Sequence, residues 1–362
     1  MAHFRWSLLF TIAVLLVPHS IMATTLTVGT CKSPHYPTIS AAVAAAPSGA
    51  IVQVCPGTYP EQVVIGTPLT LEGIASGNAD RAVITVPGNG FPTTVTTLIG
   101  GTVTPQVLVT VPGVNISNIT VDGAGASIST TYLAGIFYES GSSGIVKEDT
   151  TRNQTSIGAG IWAENGNPTS ESVTIENSSV HDVDWFGIFV ASNQTPPTLT
   201  ATILKNYVTV TSYISIYNYN ANASITSNVI SGSQYGVVML SNSVGSITSN
   251  TVSNAGYAIF DEASTSNIKS NLILNSTYFA IEILSPSNAT IESNTIRKAP
   301  VGIEFGCSAG PTVKSNTISD VTTGLDFVPL SVVSPNTYDN VDTIRNGGCG
   351  FAPTTALPLP QR

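Results

Sequence analysis

A repeat of nearly constant length limits what this chain can fold into. Between Ser224 and Phe327 the runs Ile225-Thr-Ser-Asn228-Val-Ile230, Ile247-Thr-Ser-Asn250-Thr-Val252, Ile268-Lys-Ser-Asn271-Leu-Ile273, Ile291-Glu-Ser-Asn294-Thr-Ile296 and Val313-Lys-Ser-Asn316-Thr-Ile318 follow one another. Their asparagines stand 22, 21, 23 and 22 residues apart. A second block trails each run: Gly236-Val-Val-Met, Ala258-Ile-Phe-Asp, Ala280-Ile-Glu-Ile, Gly302-Ile-Glu-Phe and Gly324-Leu-Asp-Phe. A fixed period in the twenties marks stacked units, none of which can bury its apolar face alone. Leucine-rich repeats share the period but need several leucines per unit. Here the apolar positions are short β-branched runs separated by Ser, Thr, Asn and Gly, which is strand and turn chemistry. The spacing predicts an all-β fold, a right-handed parallel β-helix with three short strands per coil.

Such a solenoid grows by adding coils, so 362 residues need no second core. We expect a signal peptide over residues 1–23, one domain over 24–351 and a Pro- and Thr-rich tail over 352–362. Arg5, the apolar run Leu8 to Val17 and Ala23 have the order of a secretory signal, and the run is short for a membrane span. No later stretch is apolar for long enough to span. Removal of that signal leaves 11 basic against 21 acidic side chains, a net charge of −10. This balance argues against nucleic acid and anionic lipid as partners. The chain reads as a secreted monomer, extracellular or periplasmic. Of the four cysteines, Cys31 and Cys55 flank the first unit and Cys307 and Cys349 the last. An exported chain would staple each end, although three connectivities remain open. No Cys-x-x-Cys spacing points to a metal.

Thr38 can cap a short helix with Ile39, Ala42, Val43 and Ala46 on one face, stopped by Pro47 and Gly49; it would plug the open end of the solenoid. The run from Tyr36-Pro-Thr-Ile39 through Pro56-Gly-Thr-Tyr59-Pro-Glu61 to Leu69-Thr-Leu-Glu-Gly73 resembles the opening of the pectin-lyase-like superfamily. The later repeats are similar to its carbohydrate-binding and sugar-hydrolase β-helix repeats. The resemblance covers roughly residues 36 to 327. It implies the β-helix fold and a polysaccharide as partner, and it leaves lyases, hydrolases, esterases, epimerases and adhesins open. Residues 75 to 115 read as irregular coils. Coils at Gly135, Gly160, Gly187 and Ser215 then follow at spacings of 25, 27 and 28, so their extra residues must leave as loops. Candidates are Glu139 to Ser156, Glu164 to Glu171 and Asn193 to Thr200.

Strand alternation places function. With Ile136, Ile161, Ile188, Ile216, Val237, Ile259, Ile281, Ile303 and Leu325 inward, the next residues form an outward column: Phe137, Trp162, Phe189, Tyr217, Val238, Phe260, Glu282, Glu304 and Asp326. Exposed rings such as Trp162, Phe189, Tyr217 and Phe260 suit sugar faces; the alternative is rings that stack on one another and shield the sheet. Glu282, Glu304 and Asp326 on successive rungs are candidate catalytic carboxyls, or could recruit a hard cation such as calcium. His181, Asp182 and Asp184 form a second acid–base candidate. The His-Asp step matches part of the Asp-Pro-His-Asp motif of alginate epimerases, but it precedes the strand rather than following it. Lys147, Glu148, Asp149 and Arg152 are expected in a loop that could supply a lyase base. The asparagine ladder reads as structural, with Asn in the left-handed backbone of each turn. An exported polysaccharide-binding or polysaccharide-processing protein, lyase or glycoside hydrolase if an enzyme, is the first reading. A non-enzymatic structural or adhesive surface protein is the second.

Overall fold

The computed structural model describes residues 23–75, 82–128, 131–155, 157–210, 212–284, 286–306, 311–327 and 333–347. Nearly all of them lie in strands that pair in parallel with the equivalent strand of the next coil. The exception among the described residues is the short antiparallel pairing of Val95–Thr96 with Thr102–Val109. The chain is a right-handed parallel β-helix. Parallel strands joined by crossovers of one sheet to the next take this hand because of the twist of the strand itself.

Three faces wind around one core. The first face is a 12-stranded sheet running from Thr25–Val28 to Thr312–Lys314. A second is built from Tyr132–Tyr138, Gly158–Asn165, Phe186–Ser192, Ile214–Tyr219, Tyr235–Leu240, Tyr257–Glu262 and Phe279–Leu284. The third stacks Thr150–Arg152, Ser179–Val183, Tyr207–Val210, Val229–Ser231, Thr251–Ser253 and Leu272–Leu274. Towards the C-terminal end, Thr295–Phe305 and Thr317–Asp326 each run through both of the latter faces. Register follows the repeat residue by residue: Ile225 pairs with Ile247, Ile247 with Ile268, and Ile268 with Ile291. The inward Ile and Val of successive coils therefore stack as one continuous buried column, and every interior coil buries apolar surface against two others.

The helix expected at the start is present as Ile39–Ala45, capped by Thr38, whose Oγ1 accepts from the Ala41 N–H at 3.1 Å. Glu61 adds a second cap, accepting at 2.8 Å from the N–H groups of Ile39 and of Ser40. Cys31 and Cys55 are joined, with their Cα atoms 5.7 Å apart. Cys307 and Cys349, the expected signal peptide up to residue 22 and the tail lie outside the described residues.

The asparagine ladder is real, with one correction. Each Asn Oδ1 accepts from the main-chain N–H and the Nδ2 of the Asn one coil earlier, as Asn250 does from Asn228 at 2.8 and 3.0 Å. Left-handed backbone falls on the preceding residue instead: Lys205, Ser227, Ser249, Ser270, Ser293 and Ser315 carry the positive φ. The Asn side chain must turn inward to reach the next coil, and the strain moves to the neighbour. Asn336 extends the ladder at the C-terminal end. Ser178 and Asp149 extend it at the other end, Asp149 Oδ1 accepting from the Ile119 N–H at 2.7 Å. The charged stretch around Asp149 is thus not the expected loop. It forms strands Gly144–Lys147 and Thr150–Arg152, with Lys147 bound to Glu176 and Arg152 to Asp122. The irregular coils from 75 to 115 also hold an eight-residue strand, Thr102–Val109, which the β-branched residues around Pro105 sustain.

Candidate functional site

The outward column of the second face exists in the expected register. Phe137 pairs with Trp162, Trp162 with Phe189, Phe189 with Tyr217, and so on through Val238, Phe260, Glu282, Glu304 and Asp326. Its aromatic half is not exposed, which corrects the expectation of an open sugar-binding face. Trp162, Phe189 and Phe260 are 0% exposed and Tyr217 2%. The rings cover one another, Trp162 lying 4.8 Å from Phe189 and Phe189 4.9 Å from Tyr217 between centroids. Residues to either side close over them and form a second apolar core outside the tube, with Tyr132, Phe186, Ile214, Tyr235 and Leu240. Alternation gives the direction of a side chain but not what its lateral neighbours do to it. Trp162 is further fixed by its Nε1–H, which donates to Glu164 Oε2 at 3.2 Å. Burial pushes the Glu164 carboxyl up to about 7.

What this outer core shows to solvent is a second line of rings, unforeseen from the alternation. Trp185 stacks on Tyr132 at 5.6 Å and reaches Tyr213 at 6.0 Å, and Tyr213 meets Tyr235 at 5.8 Å. Tyr235 stacks on Tyr257 at 4.7 Å, and Tyr257 meets Tyr278 at 5.3 Å and Phe279 at 5.5 Å. Trp185, Tyr213, Tyr257 and Phe279 are partly exposed, and Tyr278 is exposed. These rings make a ledge parallel to the solenoid axis. A signal for it lies in the sequence: Tyr235, Tyr257 and Phe279 each stand three residues before the outward residue of their block. A small residue, Gly236, Ala258 or Ala280, bends each strand between the two positions, so simple alternation misses it.

The ledge ends beside the acids. Glu282 pairs with Glu304 and Glu304 with Asp326, as their repeat positions imply. Glu282 and Glu304 are nearly buried, 4% and 3% exposed, while Asp326 is partly open to solvent. Oε2 of Glu282 and Oε2 of Glu304 have no hydrogen-bond partner among the described residues. Burial, then the neighbouring charge of Glu304 and of Glu262, pushes Glu282 up to about 8. Burial and Asp326 push Glu304 up to about 7. The same carboxylates raise the Tyr257 hydroxyl after burial has done so, which places the last rings of the ledge within their field. Adjacent rungs are roughly 4.8 Å apart, so the two carboxyls form a coupled pair that can hold one proton between them near neutrality.

The His181 group stands elsewhere. His181 and Asp182 lie in Ser179–Val183 on the third face, their side chains 2.6 Å apart and open to solvent. The strand bulges between His181 and Val183. Asp184 accepts instead from Ser212 Oγ at 2.6 Å. These residues are several rungs from Glu282 and do not join it. Among the described residues no three Asp, Glu, His or Cys side chains are grouped as a metal ion would need, and no helix is long and apolar enough to cross a membrane.

The family model described as the right-handed beta helix region matches residues 212–356. Among solved structures, the A-module of the mannuronan C-5 epimerase AlgE4 of Azotobacter vinelandii is similar with a TM-score of 0.59 and 14% identity, over 82% of this chain and 89% of that one. The periplasmic alginate epimerase AlgG is less similar, with a TM-score of 0.47 and 14% identity over 82% of this chain and 77% of that one. The catalytic unit of a thermostable GH87 alpha-1,3-glucanase of Streptomyces thermodiastaticus strain HF3-3 gives a TM-score of 0.38 at 14% identity, over 86% and 66%. No curated protein matches the chain in sequence. The stacked parallel rungs, the matched repeat region and the likeness to the AlgE4 A-module agree on the fold: the chain is a parallel β-helix.

Proposed function

We propose that the protein is exported and binds a neutral polysaccharide along the ring ledge, hydrolysing it at the Glu282–Glu304 pair. The observation that carries this reading is the pair itself: two nearly buried carboxyls on adjacent rungs, each with an unpartnered oxygen, at the end of a line of partly exposed rings. Leaving such groups buried and unpartnered costs stability, and groups of this kind cluster at functional sites. The Cys31–Cys55 bond supports an oxidising compartment. A net charge of −9 over the whole chain favours a neutral over an acidic polymer.

The chemistry follows from the protons. At neutral pH one carboxyl is protonated and can donate to the glycosidic oxygen as the C–O bond to the anomeric carbon breaks. Its ionised neighbour attacks that carbon or takes a proton from the water that does so. A rung separation of roughly 4.8 Å is close to the about 5–5.5 Å of retaining glycosidases. The water oxygen ends on the anomeric carbon, and its two protons end on the departing hydroxyl and the new one. Partly exposed tyrosines and tryptophan supply apolar faces for sugar C–H groups and hydroxyls for their polar edges.

One observation favours the alternative of a rigid surface scaffold: the Phe137 to Phe260 column is spent on internal packing. A single experiment separates the two. Purified protein is incubated with soluble and insoluble glucans, mannans and xylans, and new reducing ends are measured for wild type, Glu282→Gln and Glu304→Gln. New ends that vanish in both variants support hydrolysis; none from the wild type on any polymer, with no retention on the insoluble ones, leaves the scaffold.

A further inference from the structure

The rings lie on one side of the acids only. In the column that carries Tyr235, Tyr257 and Phe279, the next three rungs place Val301, Thr323 and Thr343. Beyond Glu304 the adjoining column continues with Asp326 and Asn346. Two aromatic side chains of those last rungs are used inward. Phe305 and Tyr338 pack with the inner core, and Phe327 sits at a turn with φ 53°. Among the described residues the outer core stops at the same place, its last member being Leu284 on the Glu282 rung. Among the described residues the ring ledge is therefore continuous from Trp185 to Tyr278 and has no further ring in its own column past Glu304.

We propose that a glycan is held by the segment lying on the N-terminal side of Glu282 and Glu304, so that a short oligosaccharide is cut next to the single end that overhangs the C-terminal rungs. This rests on the hydrolytic reading above and adds its bond selectivity. A rung spacing of roughly 4.8 Å is close to the length one pyranose adds to an extended chain, so successive sugars meet successive rings. Sliding the oligosaccharide one unit towards the N-terminal side gains a ring contact, and sliding it back loses one without any compensating contact at Val301 or Thr323. The register with most rings covered is the most populated. It leaves only the unit or two needed to present a scissile bond on the far side of the acids. Binding energy from units remote from the bond is what this arrangement can apply to the reaction.

The test uses the full chain and reducing-end-labelled penta-, hexa- and heptasaccharides of β-1,4-glucan, β-1,3-glucan, β-1,4-mannan and β-1,4-xylan, with products sized by mass spectrometry. The expected result is one dominant cut, always near the same end, that frees one unit from the hexasaccharide and two from the heptasaccharide, with the pentasaccharide, which the five ring-bearing rungs can hold whole, cut most slowly. Tyr278→Ala should lower kcat/KM by about tenfold, the scale of one ring contact. Thr323→Trp, which adds a ring past the acids at a partly exposed position, should move the cut inward by one unit. Cuts near the middle or spread along the chain, or a product pattern indifferent to Thr323→Trp, overturn the proposal while leaving hydrolysis standing. No cleavage of any of these sugars or of the parent polymers overturns hydrolysis and this inference together.

Discussion

Asn250 shows how much one side chain does in this fold. It is 1% exposed, accepts from the Asn228 N–H and Nδ2, and donates its own Nδ2 to the Ile225 carbonyl at 2.9 Å. Asn250→Ala leaves a buried N–H and a buried carbonyl without partners, an expected loss of about 3 kcal/mol in urea unfolding. The spacing of the asparagines made their stacking legible, since only a repeated residue at a repeated place can bond to its own copy. The left-handed backbone was not legible, because Ser and Asn both occupy the turn and only the need to point inward decides between them. Trp162 teaches a related lesson. Alternation sets its direction correctly, but three-sided cover by Phe137, Phe186 and Phe189 is a property of neighbouring rungs. Trp162→Ala should therefore cost about 3–5 kcal/mol as a cavity, read as a lowered melting temperature, before any effect on glycan binding.

At the scale of elements, the N-terminal end is secured by several independent devices. Thr25–Val28 is the edge strand of the first sheet, and an unprotected edge invites pairing with other chains. The disulfide closes a separation of 24 residues across it, and the Ile39–Ala45 helix covers the core beneath. Replacing both Cys31 and Cys55 by Ala should cost about 3 kcal/mol, visible as a lower melting temperature. The helix and its Thr38 cap could be read from the sequence. The part played by Glu61 could not, because it reaches the helix from 21 residues away. The ring ledge escaped for a comparable reason: its members stand before a bend and the outward column after it, and only the folded strand brings the two side by side.

For the molecule as a whole, the carboxyls of the candidate site set a pH dependence. Glu282 and Glu304 hold protons in the folded state well above the usual 4.5 of a glutamate, at about 8 and about 7. The folded chain thus binds more protons than the unfolded one across that interval. Stability from this source is complete below about pH 4.5 and is lost as pH rises through 7 and 8, by an amount of order a few kcal/mol. Melting temperatures measured from pH 5 to pH 9 should fall, and Glu282→Gln with Glu304→Gln should flatten the slope. The end of the outer core has a further consequence. From Thr102–Val109 to Phe279–Leu284 the rungs are held from inside and outside the tube, whereas among the described residues Thr295–Phe305, Thr317–Asp326 and Thr337–Asn346 are held from inside alone. In deuterium exchange the last three rungs should unzip first, and protection should step up sharply at Phe279–Leu284. The two carboxyls straddle that step, so the local melting front of the solenoid comes to rest between the residues proposed to do its chemistry.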